Sequence, residues 1–303
     1  MSEPVDRWVP VGGPPGGLKL HIRQWDGSGV PFVLLHGLAS NCLTWEAVAR
    51  NLNAAGHPVV TVDQRGHGLS DKPASGYSFE QVTNDLLDLI EVLRLDGRPI
   101  VAGQSWGGNV VLDFAGRHPG VSRGLVLVDG GFIELASRPE ATWESISVQL
   151  KPPALAGSPR VELAARFRQM HPDWSDEGIE HSLANFETMP DGTIRPWLTL
   201  DRHMEILRAL WEHGPSQLYA RIDEPVLIAP ADTGDREWSE HRRERVAAAE
   251  KSLRRCLVRW FPETAHDIHV HRPQELAQAM LETLHRGFFG SPQPPFAKGR
   301  LGE

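Results

Sequence analysis

Ser105 is the residue of this sequence whose setting most clearly indicates chemistry. It lies in residues 103–107, GQSWG, after a short apolar run and before a helix-like segment, NVVLDFAGRHP. A G-x-S-x-G motif between a strand and a helix is typical of a nucleophile elbow, a turn so tight that small residues must flank the serine. A serine hydroxyl is a poor nucleophile near neutral pH, so this interpretation requires a base and a pocket that stabilises negative charge. By itself, the motif also fits a glycine-rich turn with a capping serine.

The elements that would position Ser105 alternate regularly along most of the chain. An alternating hairpin is predicted first, over residues 6–12 and 18–25. Short apolar runs, too brief for helices, then predict strands buried on both faces: residues 31–37, the beginning of residues 57–73, the run from Pro99 that precedes Gly103, and residues 124–130, 225–231 and 255–261. Apolar residues at helical spacing predict helices between them, including residues 41–52, 79–95 and 273–286. This alternation predicts a doubly wound α/β sheet, whose ligand sites form at the carboxyl ends of the strands.

The alternation stops between residues 131 and 224. No strand-like run occurs there, and several helical pieces carry aromatic and methionine side chains. We interpret this segment as an inserted helical cap, in which most of these side chains form the cap's own core and a minority face a pocket. We therefore expect a core from residues 1–130 and 225–286, a cap at 131–224, and a loosely held tail at 287–303, which is rich in proline and glycine.

Composition limits the class of protein and its partners. The chain has 303 residues, of which 40% are hydrophobic, enough for one large domain or one domain with an insertion. A formal net charge of -8 argues against a nucleic-acid partner. Cys42 and Cys256 are far apart, so neither a disulfide framework nor a zinc site is indicated. Since no signal-like or membrane-spanning run occurs, we expect a cytoplasmic protein that does not bind membranes; the sequence predicts no oligomeric state.

Taken in order, these pieces give a family resemblance. The relevant motifs are LLHGLASNCLTW, VVTVDQRGHGLSDKP, GQSWGGNVV, GLVLVDG and TAHDIHVHRP. With them, the sequence resembles the α/β-hydrolase superfamily, in particular its cap-bearing, esterase-like members. The motifs span roughly residues 31–130 and 225–286, so the cap is the poorly matched part. The resemblance implies an α/β-hydrolase fold: a mostly parallel central sheet with helices on both faces and an inserted helical cap.

The resemblance also implies a set of site residues without a cofactor or a metal. Ser105 would be the nucleophile, and His266, in a loop after a late strand, would be the general base. An imidazole with a pKa of about 6.5 can take the serine proton and pass it to the leaving group. The backbone N–H groups of Leu38 and Trp106 would form the oxyanion hole. His67, in the RGHG motif, is expected to be a packing residue instead.

The acid that would orient His266 is where the sequence departs from the commonest pattern of the superfamily. Most relatives place it in a G-x-x-D loop after the strand that follows the cap, whereas this loop reads PADTGD over residues 230–235, with a shifted register. A second recognised position is the end of the strand after the elbow helix, where Asp129 lies. We therefore expect Asp129 as the acid, then Asp235, then Asp232. The alternative interpretation of Asp232 and Asp235 is that they form a turn and have no catalytic role.

The same superfamily contains enzymes with an aspartate nucleophile, such as haloalkane dehalogenases and epoxide hydrolases. A serine at this position indicates acyl transfer to water instead. The apolar cap predicts a small substrate with a hydrophobic or aromatic portion, such as a carboxylic ester or a lactone. The same triad could serve a carbon-carbon bond hydrolase, an aminopeptidase, a perhydrolase or an acyltransferase. A non-catalytic receptor for a small ligand is the alternative from another class.

A metal-dependent hydrolase is a further alternative, because His266, His269 and His271 form an H-x-x-H-x-H pattern. If this segment were a strand, His269 and His271 would share one face. No matching carboxylate-histidine motif occurs elsewhere in the sequence, so we do not expect a metal.

Overall fold

An eight-stranded sheet organises the computed structural model, which describes residues 3–12 and 17–290, without the side chains of residues 236–239. The loop at residues 13–16 and residues 291–303 of the expected tail lie outside the described residues. In the part of the chain that is described, no helix is both long enough and apolar enough to span a bilayer.

The large sheet is mostly parallel. The strands of the described residues, in all three sheets, are β1 (Val5–Val11), β2 (Leu18–Trp25), β3 (Phe32–Leu35), β4 (Val59–Val62), β5 (Ile100–Gln104), β6 (Gly124–Val128), β7 (Phe186–Thr188), β8 (Ile194–Pro196), β9 (Val226–Ala229), β10 (Ala231–Asp232), β11 (Cys256–Val258) and β12 (Phe261–Pro262). The order in the large sheet is β1-β2-β4-β3-β5-β6-β9-β11. Strands β4 to β11 of this order pair in parallel, and β1 and β2 form an antiparallel hairpin that joins β4. The predicted mostly parallel α/β sheet is confirmed.

Helices cover both faces of this sheet. The α-helices of the described residues are α1 (Glu46–Ala54), α2 (Phe79–Leu93), α3 (Trp106–Arg117), α4 (Trp143–Gln149), α5 (Arg160–Met170), α6 (Asp176–Leu183), α7 (Leu200–Glu212), α8 (Arg236–Ser252), α9 (Ile268–His271) and α10 (Pro273–His285), of which α4 to α7 belong to the inserted segment. Helices α1 and α10 pack together on one face, and α2 and α3 pack together on the other. A sheet covered on both sides needs strands that are apolar at every position, which explains the uninterrupted apolar runs of the sequence.

Strand β3 illustrates how one apolar run supplies two cores. Phe32 and Leu34 contribute to the cluster under α1 and α10, whereas Val33 and Leu35 contribute to the cluster under α2 and α3. All four side chains are almost completely buried. Successive side chains of a strand point to opposite faces, so a four-residue strand anchors both layers of helices.

The segment between β6 and β9 contains α4 to α7 and a short antiparallel hairpin, β7–β8. The sequence did not predict strands between residues 131 and 224, and that expectation is wrong. Each strand of the hairpin has three residues, too few for a recognisable pattern. The turn between them is closed locally, since the Asp191 Oδ1 atom accepts a hydrogen bond of 2.9 Å from the Thr193 N–H. The segment has a separate small core of Leu163, Ala164, Ile179, Leu183 and Ile194.

The last strands are shorter than the predicted run at residues 255–261. β11 ends at Val258, and β12 pairs in parallel with β10 in a separate two-stranded sheet. The Thr264 N–H donates to the backbone carbonyl oxygen of Asp232 over 3.1 Å. These contacts hold the loop that carries His266 beside the ends of the large sheet.

The described start of the expected tail, residues 287–290, contains one buried side chain, that of Phe289, so the expectation of a loose tail does not hold there. Phe289 is buried, with its ring in the space that a side chain at Gly124 would occupy. Arg123 donates a hydrogen bond of 3.3 Å to the Phe289 carbonyl oxygen. The glycine at the start of β6 therefore leaves space for the Phe289 ring, which composition alone does not reveal.

Candidate active site

Ser105 occupies a strained turn between β5 and α3, with φ of 55° and ψ of -123°. A positive φ is unfavourable for a residue with a side chain and persists only where neighbouring structure enforces it. Here the Ser105 N–H donates to the backbone carbonyl oxygen of Val128 over 3.0 Å, and the backbone carbonyl oxygen of Ser105 accepts from the Gly108 N–H over 2.9 Å. A side chain at Gly103 would collide with the backbone of Gly107. The G-x-S-x-G sequence thus adopts the geometry of a nucleophile elbow, with Ser105 partly exposed.

His266 and Asp129 are in direct contact. The His266 Nδ1 atom lies 2.6 Å from the Asp129 Oδ2 atom. Asp129 follows β6 directly with a φ of 45° and its side chain is fully buried, whereas 41% of the His266 side chain is exposed. The second carboxylate oxygen, Oδ1, accepts a hydrogen bond of 3.1 Å from the Ala231 N–H. The structure therefore brings the first expected acid and the expected base together.

The two other expected acids lie elsewhere. The Asp232 Oδ2 atom forms an ion pair of 2.7 Å with Arg243, and its Oδ1 atom accepts from the Gly234 N–H over 3.0 Å. Asp235 is exposed. Neither carboxylate forms a hydrogen bond or ion pair with His266 in the described residues, and the Gly234 contact of Asp232 is a turn contact.

Ser105 and His266 line the same cavity, which has a volume of 260 Å³. The structure does not place the Ser105 hydroxyl in a hydrogen bond with the imidazole, as is frequent before a substrate binds. Two of the aromatic residues of the inserted segment, Phe167 and Trp174, line this cavity. The remaining wall is largely polar and includes Ser40, Thr44, Ser182 and Asn185.

A larger cavity of 740 Å³ lies between the start of the inserted segment and α8. Neither Ser105 nor His266 lines it, whereas Asp235 and Arg242 do. The larger cavity is thus not the one that contains the strained serine and the histidine.

The expected oxyanion-hole donors lie beside Ser105. Among the described residues, the N–H groups of Leu38 and Trp106 donate to no other group of the protein. Gly37 approaches so closely that a side chain there would meet the Gln104 side chain and would lie 3.1 Å from the Ser105 Cβ atom. Leu38 lines the cavity, whereas Trp106 is buried and adjoins it only through its place directly after Ser105, so the role of the two N–H groups in an oxyanion hole stays a prediction.

His67 stabilises this turn and does not line the cavity, which agrees with its expected packing role. The Ala39 N–H donates to the His67 Nε2 atom over 3.2 Å, and the His67 ring stacks on Trp106 with centroids 5.5 Å apart. Burial holds the pKa of His67 well below its ordinary value of 6.5. A neutral ring is required there, because Nε2 must accept the hydrogen bond.

Opposing effects act on the pKa of His266. Burial lowers the pKa, but the hydrogen bond to Asp129, the charge of Asp129 and the charge of Asp267 raise it more, while Arg242 opposes them. The net result is a pKa above the ordinary value of 6.5. An imidazole that binds a proton more firmly is a stronger base toward a hydroxyl, provided the pH keeps it neutral at rest.

Two residues that sequence reasoning missed hold this pair. The Gln104 Nε2 atom donates to the His266 carbonyl oxygen and to the Asp267 Oδ1 atom, each over 3.3 Å. The Arg242 Nη1 atom of α8 lies 2.9 Å from the Asp129 Oδ2 atom. Gln104 could have been found from its place next to Ser105, whereas nothing in a charged helix marks one arginine among several.

The histidine pattern after His266 does not form a cluster of metal ligands. Residues 268–271 are the short helix α9, so His269 and His271 do not share a strand face, and that expectation is wrong. His269 is buried against Trp45 with ring centroids 4.8 Å apart. Burial, together with the neighbouring His266 and His36, lowers its pKa to about 3.

One group of potential metal ligands does occur in the described residues: His21, Cys42 and Asp63, whose donor atoms lie within 4.8 Å of one another. These atoms already satisfy one another. The Asp63 Oδ1 atom accepts from the Cys42 N–H over 2.7 Å, and its Oδ2 atom contacts the His21 Nδ1 atom at 2.8 Å. Burial raises the pKa of the Cys42 thiol well above its ordinary value, which disfavours the thiolate that a metal would require.

Comparison with known proteins places this chain in a family. The model of the Alpha/beta hydrolase family matches residues 32–279. The 2-(acetamidomethylene)succinate hydrolase of Mesorhizobium japonicum is 35% identical over 114 residues, which are 38% of this chain and 40% of that protein. A non-heme chloroperoxidase of Streptomyces lividans is 26% identical over 220 residues, which are 70% of this chain and 78% of that protein. The first curated relatives are matched over less than half of their length, 42% and 40%.

Among solved structures, that of E-2-(acetamidomethylene)succinate hydrolase superposes with a TM-score of 0.75, covering 93% of this chain and 99% of that chain at 21% identity. At such low identity, the likeness concerns the fold alone. Together with the family match over most of the chain, it confirms the resemblance found in the sequence motifs. The chain belongs to the alpha/beta hydrolase family.

Proposed function

We propose that this protein is a serine hydrolase that cleaves a carboxylic ester or lactone of a small substrate through an acyl-enzyme intermediate. The observation that carries this proposal is the 2.6 Å contact between His266 and the buried Asp129, with His266 lining the same cavity as Ser105. The geometry supports a nucleophile, a base and an acid in one site.

The chemistry would proceed in two steps. His266 takes the proton of the Ser105 hydroxyl while the oxygen attacks the substrate carbonyl carbon, and the proton then passes to the departing alcohol. In the second step, His266 takes a proton from water while the water oxygen attacks the acyl-enzyme carbonyl carbon. The proton then passes to the Ser105 oxygen, which releases the carboxylic acid product and restores the hydroxyl. In each step the N–H groups of Leu38 and Trp106 would hold the negative oxygen.

The cavity supports a small substrate. Its volume of 260 Å³ is below that of sites for drug-sized ligands, and no lysine or arginine lines it among the described residues. Phe167 and Trp174 offer apolar contact, whereas Thr44, Ser182 and Asn185 offer hydrogen bonds. We therefore propose a substrate without a negative charge, with a short apolar or aromatic part and a polar end.

The test is a hydrolysis screen over aryl esters, alkyl esters of increasing chain length and lactones, with the wild type and Ser105→Ala. We expect cleavage of at least one activated ester of short chain, and a fall by a factor of about a thousand or more in Ser105→Ala. Ser147→Ala, on α4 and outside the cavity lining, is the matched control and should retain activity. Equal activity of Ser105→Ala and the wild type would refute the proposal.

A second candidate is perhydrolysis, in which hydrogen peroxide replaces water as the acceptor of the acyl group. It is favoured by the similarity to a protein named a non-heme chloroperoxidase over 70% of this chain. Both reactions would use the same acyl-enzyme. Measuring peracid and acid formed from one ester in the presence of peroxide distinguishes them, since peracid as the main product would favour the second candidate.

A further inference from the structure

Arg242 is the residue of α8 that reaches the buried carboxylate of Asp129. Its Nη1 atom lies 2.9 Å from the Asp129 Oδ2 atom and donates over 3.1 Å to the Ala231 carbonyl oxygen. Only 12% of the Arg242 side chain and none of the Asp129 side chain is exposed. Water therefore screens this ion pair weakly, and its effect on neighbouring charges is large compared with that of a surface pair.

The Asp129 carboxylate has two oxygens and three donors. The Ala231 N–H occupies Oδ1, whereas His266 and Arg242 both approach Oδ2. While His266 is neutral, the charge of Asp129 is balanced by Arg242. When His266 takes a proton, the carboxylate must stabilise two cations through one oxygen.

Building on the proposed function, we propose that Arg242 is a positioning residue that acts through Asp129. Its guanidinium withdraws part of the carboxylate's charge from the imidazole, so that His266 stays neutral and able to act as a base at lower pH than it otherwise would. The same contact fixes the carboxylate against the start of β10, which orients Oδ2 toward the ring.

The charged and titratable groups that face His266 agree with this direction. Asp129 from the end of β6 and Asp267 in the same loop raise the pKa of His266, whereas burial lowers it and Arg242 from α8 lowers it further. His269 from α9, whose own pKa is lowered to about 3, is neutral near neutral pH and adds no charge. Arg242 is therefore the one cation acting on His266 among these groups of the described residues.

Arg242→Gln tests the proposal, because glutamine can keep a donor to Oδ2 and to the Ala231 oxygen but carries no charge. The control is Arg243→Gln: this guanidinium is 60% exposed and pairs with Asp232, 2.7 Å away. Arg242→Lys restores the charge and should recover part of the wild-type behaviour. It also serves as the second variant if Arg242→Gln does not fold.

The readouts are the pH profile of kcat/KM and the NMR titration of the His266 ring in a Ser105→Ala background. We expect Arg242→Gln to move both midpoints to higher pH, with several-fold lower activity at about pH 6 and little change on the alkaline plateau. Arg243→Gln should leave both midpoints in place. A loss by the same factor at every pH with an unmoved His266 midpoint, or an equal shift in Arg243→Gln, would overturn the proposal. The ring titration needs no turnover, so failure of the proposed hydrolysis would be seen separately, as activity that does not depend on Ser105.

Discussion

At the scale of single residues, the site depends on where three short side chains are held. Ser105 and Asp129 both have a positive φ, 55° and 45°, and both follow strands of the parallel sheet. Such strain is tolerated because β5 and β6 are neighbours and their ends support each other, as in the bond from the Ser105 N–H to the Val128 oxygen. His266 then needs only one loop to reach Asp129.

The first prediction concerns the acid. Asp129→Asn should reduce kcat by up to about ten-thousandfold, because asparagine would favour the wrong tautomer of His266 and could not stabilise its cation. Asp235→Asn is the control and should reduce kcat less than about tenfold. Kinetics on the best ester of the screen provide the measurement. Losses of similar size in the two variants would rule out Asp129 as the partner of His266.

The second prediction is the pH dependence of the reaction. His266 must be neutral to accept the serine proton, and its pKa lies above 6.5 because Asp129 and Asp267 outweigh burial and Arg242. The value of kcat/KM should therefore fall as the pH drops, with a midpoint above 6.5. The midpoint should move to lower pH when Asp129 is replaced by Asn, because Asp129 raises the pKa of His266. A flat profile down to about pH 5 would show that no histidine acts as the base.

At the scale of elements, the sequence was most informative where one pattern determines one structure. The apolar runs of β3, β5 and β6 predicted buried parallel strands, and the glycines around Ser105 predicted the elbow, because few alternatives satisfy those constraints. The hairpin β7–β8 was not predicted, because strands of three residues are too short to show an alternation of polar and apolar residues. The H-x-x-H-x-H segment contains α9, in which His269 packs against Trp45, a residue far away in the chain, and the histidine spacing does not reveal this contact.

The choice among three acids and the presence of Arg242 could not be decided from the sequence for a different reason. Asp129 follows β6, and Asp232 and Asp235 both come shortly after β9. Only the three-dimensional arrangement of these segments determines which carboxylate meets the imidazole. Arg242 belongs to a helix with several arginines, and its partner is 113 positions away in the chain, the difference between 242 and 129. Contacts of this kind depend on the packed structure.

A third prediction concerns the β1–β2 hairpin, which His21 attaches to two carboxylates. Its Nε2 atom lies 2.9 Å from the Asp6 Oδ1 atom, and its Nδ1 atom lies 2.8 Å from the Asp63 Oδ2 atom. Burial lowers the pKa of His21, but the two aspartates raise it more, so the net pKa is above 6.5. The contact of the charged ring with Asp6 thus stabilises the fold fully below the unfolded pKa of 6.5, and this contribution is lost as the pH rises through the folded pKa.

Asp6→Asn should therefore lower the free energy of unfolding at about pH 6, by about 0.5–1 kcal/mol because Asp6 is partly exposed, and by less at about pH 9. Urea unfolding at the two pH values measures the difference. Asp71→Asn is the control, since its carboxylate accepts from the Lys19 N–H of the same hairpin over 2.7 Å without a histidine partner. An Asp6→Asn effect that does not change with pH would mean that His21 does not change its charge between these two pH values, which would contradict this prediction.

At the scale of the whole molecule, the buried neutral histidines make the stability of the fold depend on pH in the direction opposite to that of His21. Burial lowers the pKa values of His36, His67 and His269, the last to about 3. These rings are neutral in the folded protein but take up protons when it unfolds below about pH 6.5. The unfolded state then binds more protons than the folded state, so stability falls as the pH falls.

The fourth prediction is that the free energy of unfolding decreases between about pH 7 and pH 5. His269 alone should contribute about 2 kcal/mol of that decrease, since each pH unit below its unfolded pKa corresponds to about 1.4 kcal/mol. His269→Phe preserves an aromatic contact with Trp45 and should make the decrease smaller by that amount. Urea titrations of both proteins across this range are the measurement. Identical pH dependence of the two would show that His269 is not held neutral.

The central claim is that the Ser105 hydroxyl is made reactive by His266 together with Asp129. Its most direct test is the rate at which a fluorophosphonate reacts with the folded protein, with the modified residue located by peptide mass mapping. We expect one adduct, on Ser105, that is absent in Ser105→Ala and forms at least about a hundredfold more slowly in His266→Gln. Labelling of another residue, no labelling of the folded protein, or an unchanged rate in His266→Gln would contradict the claim.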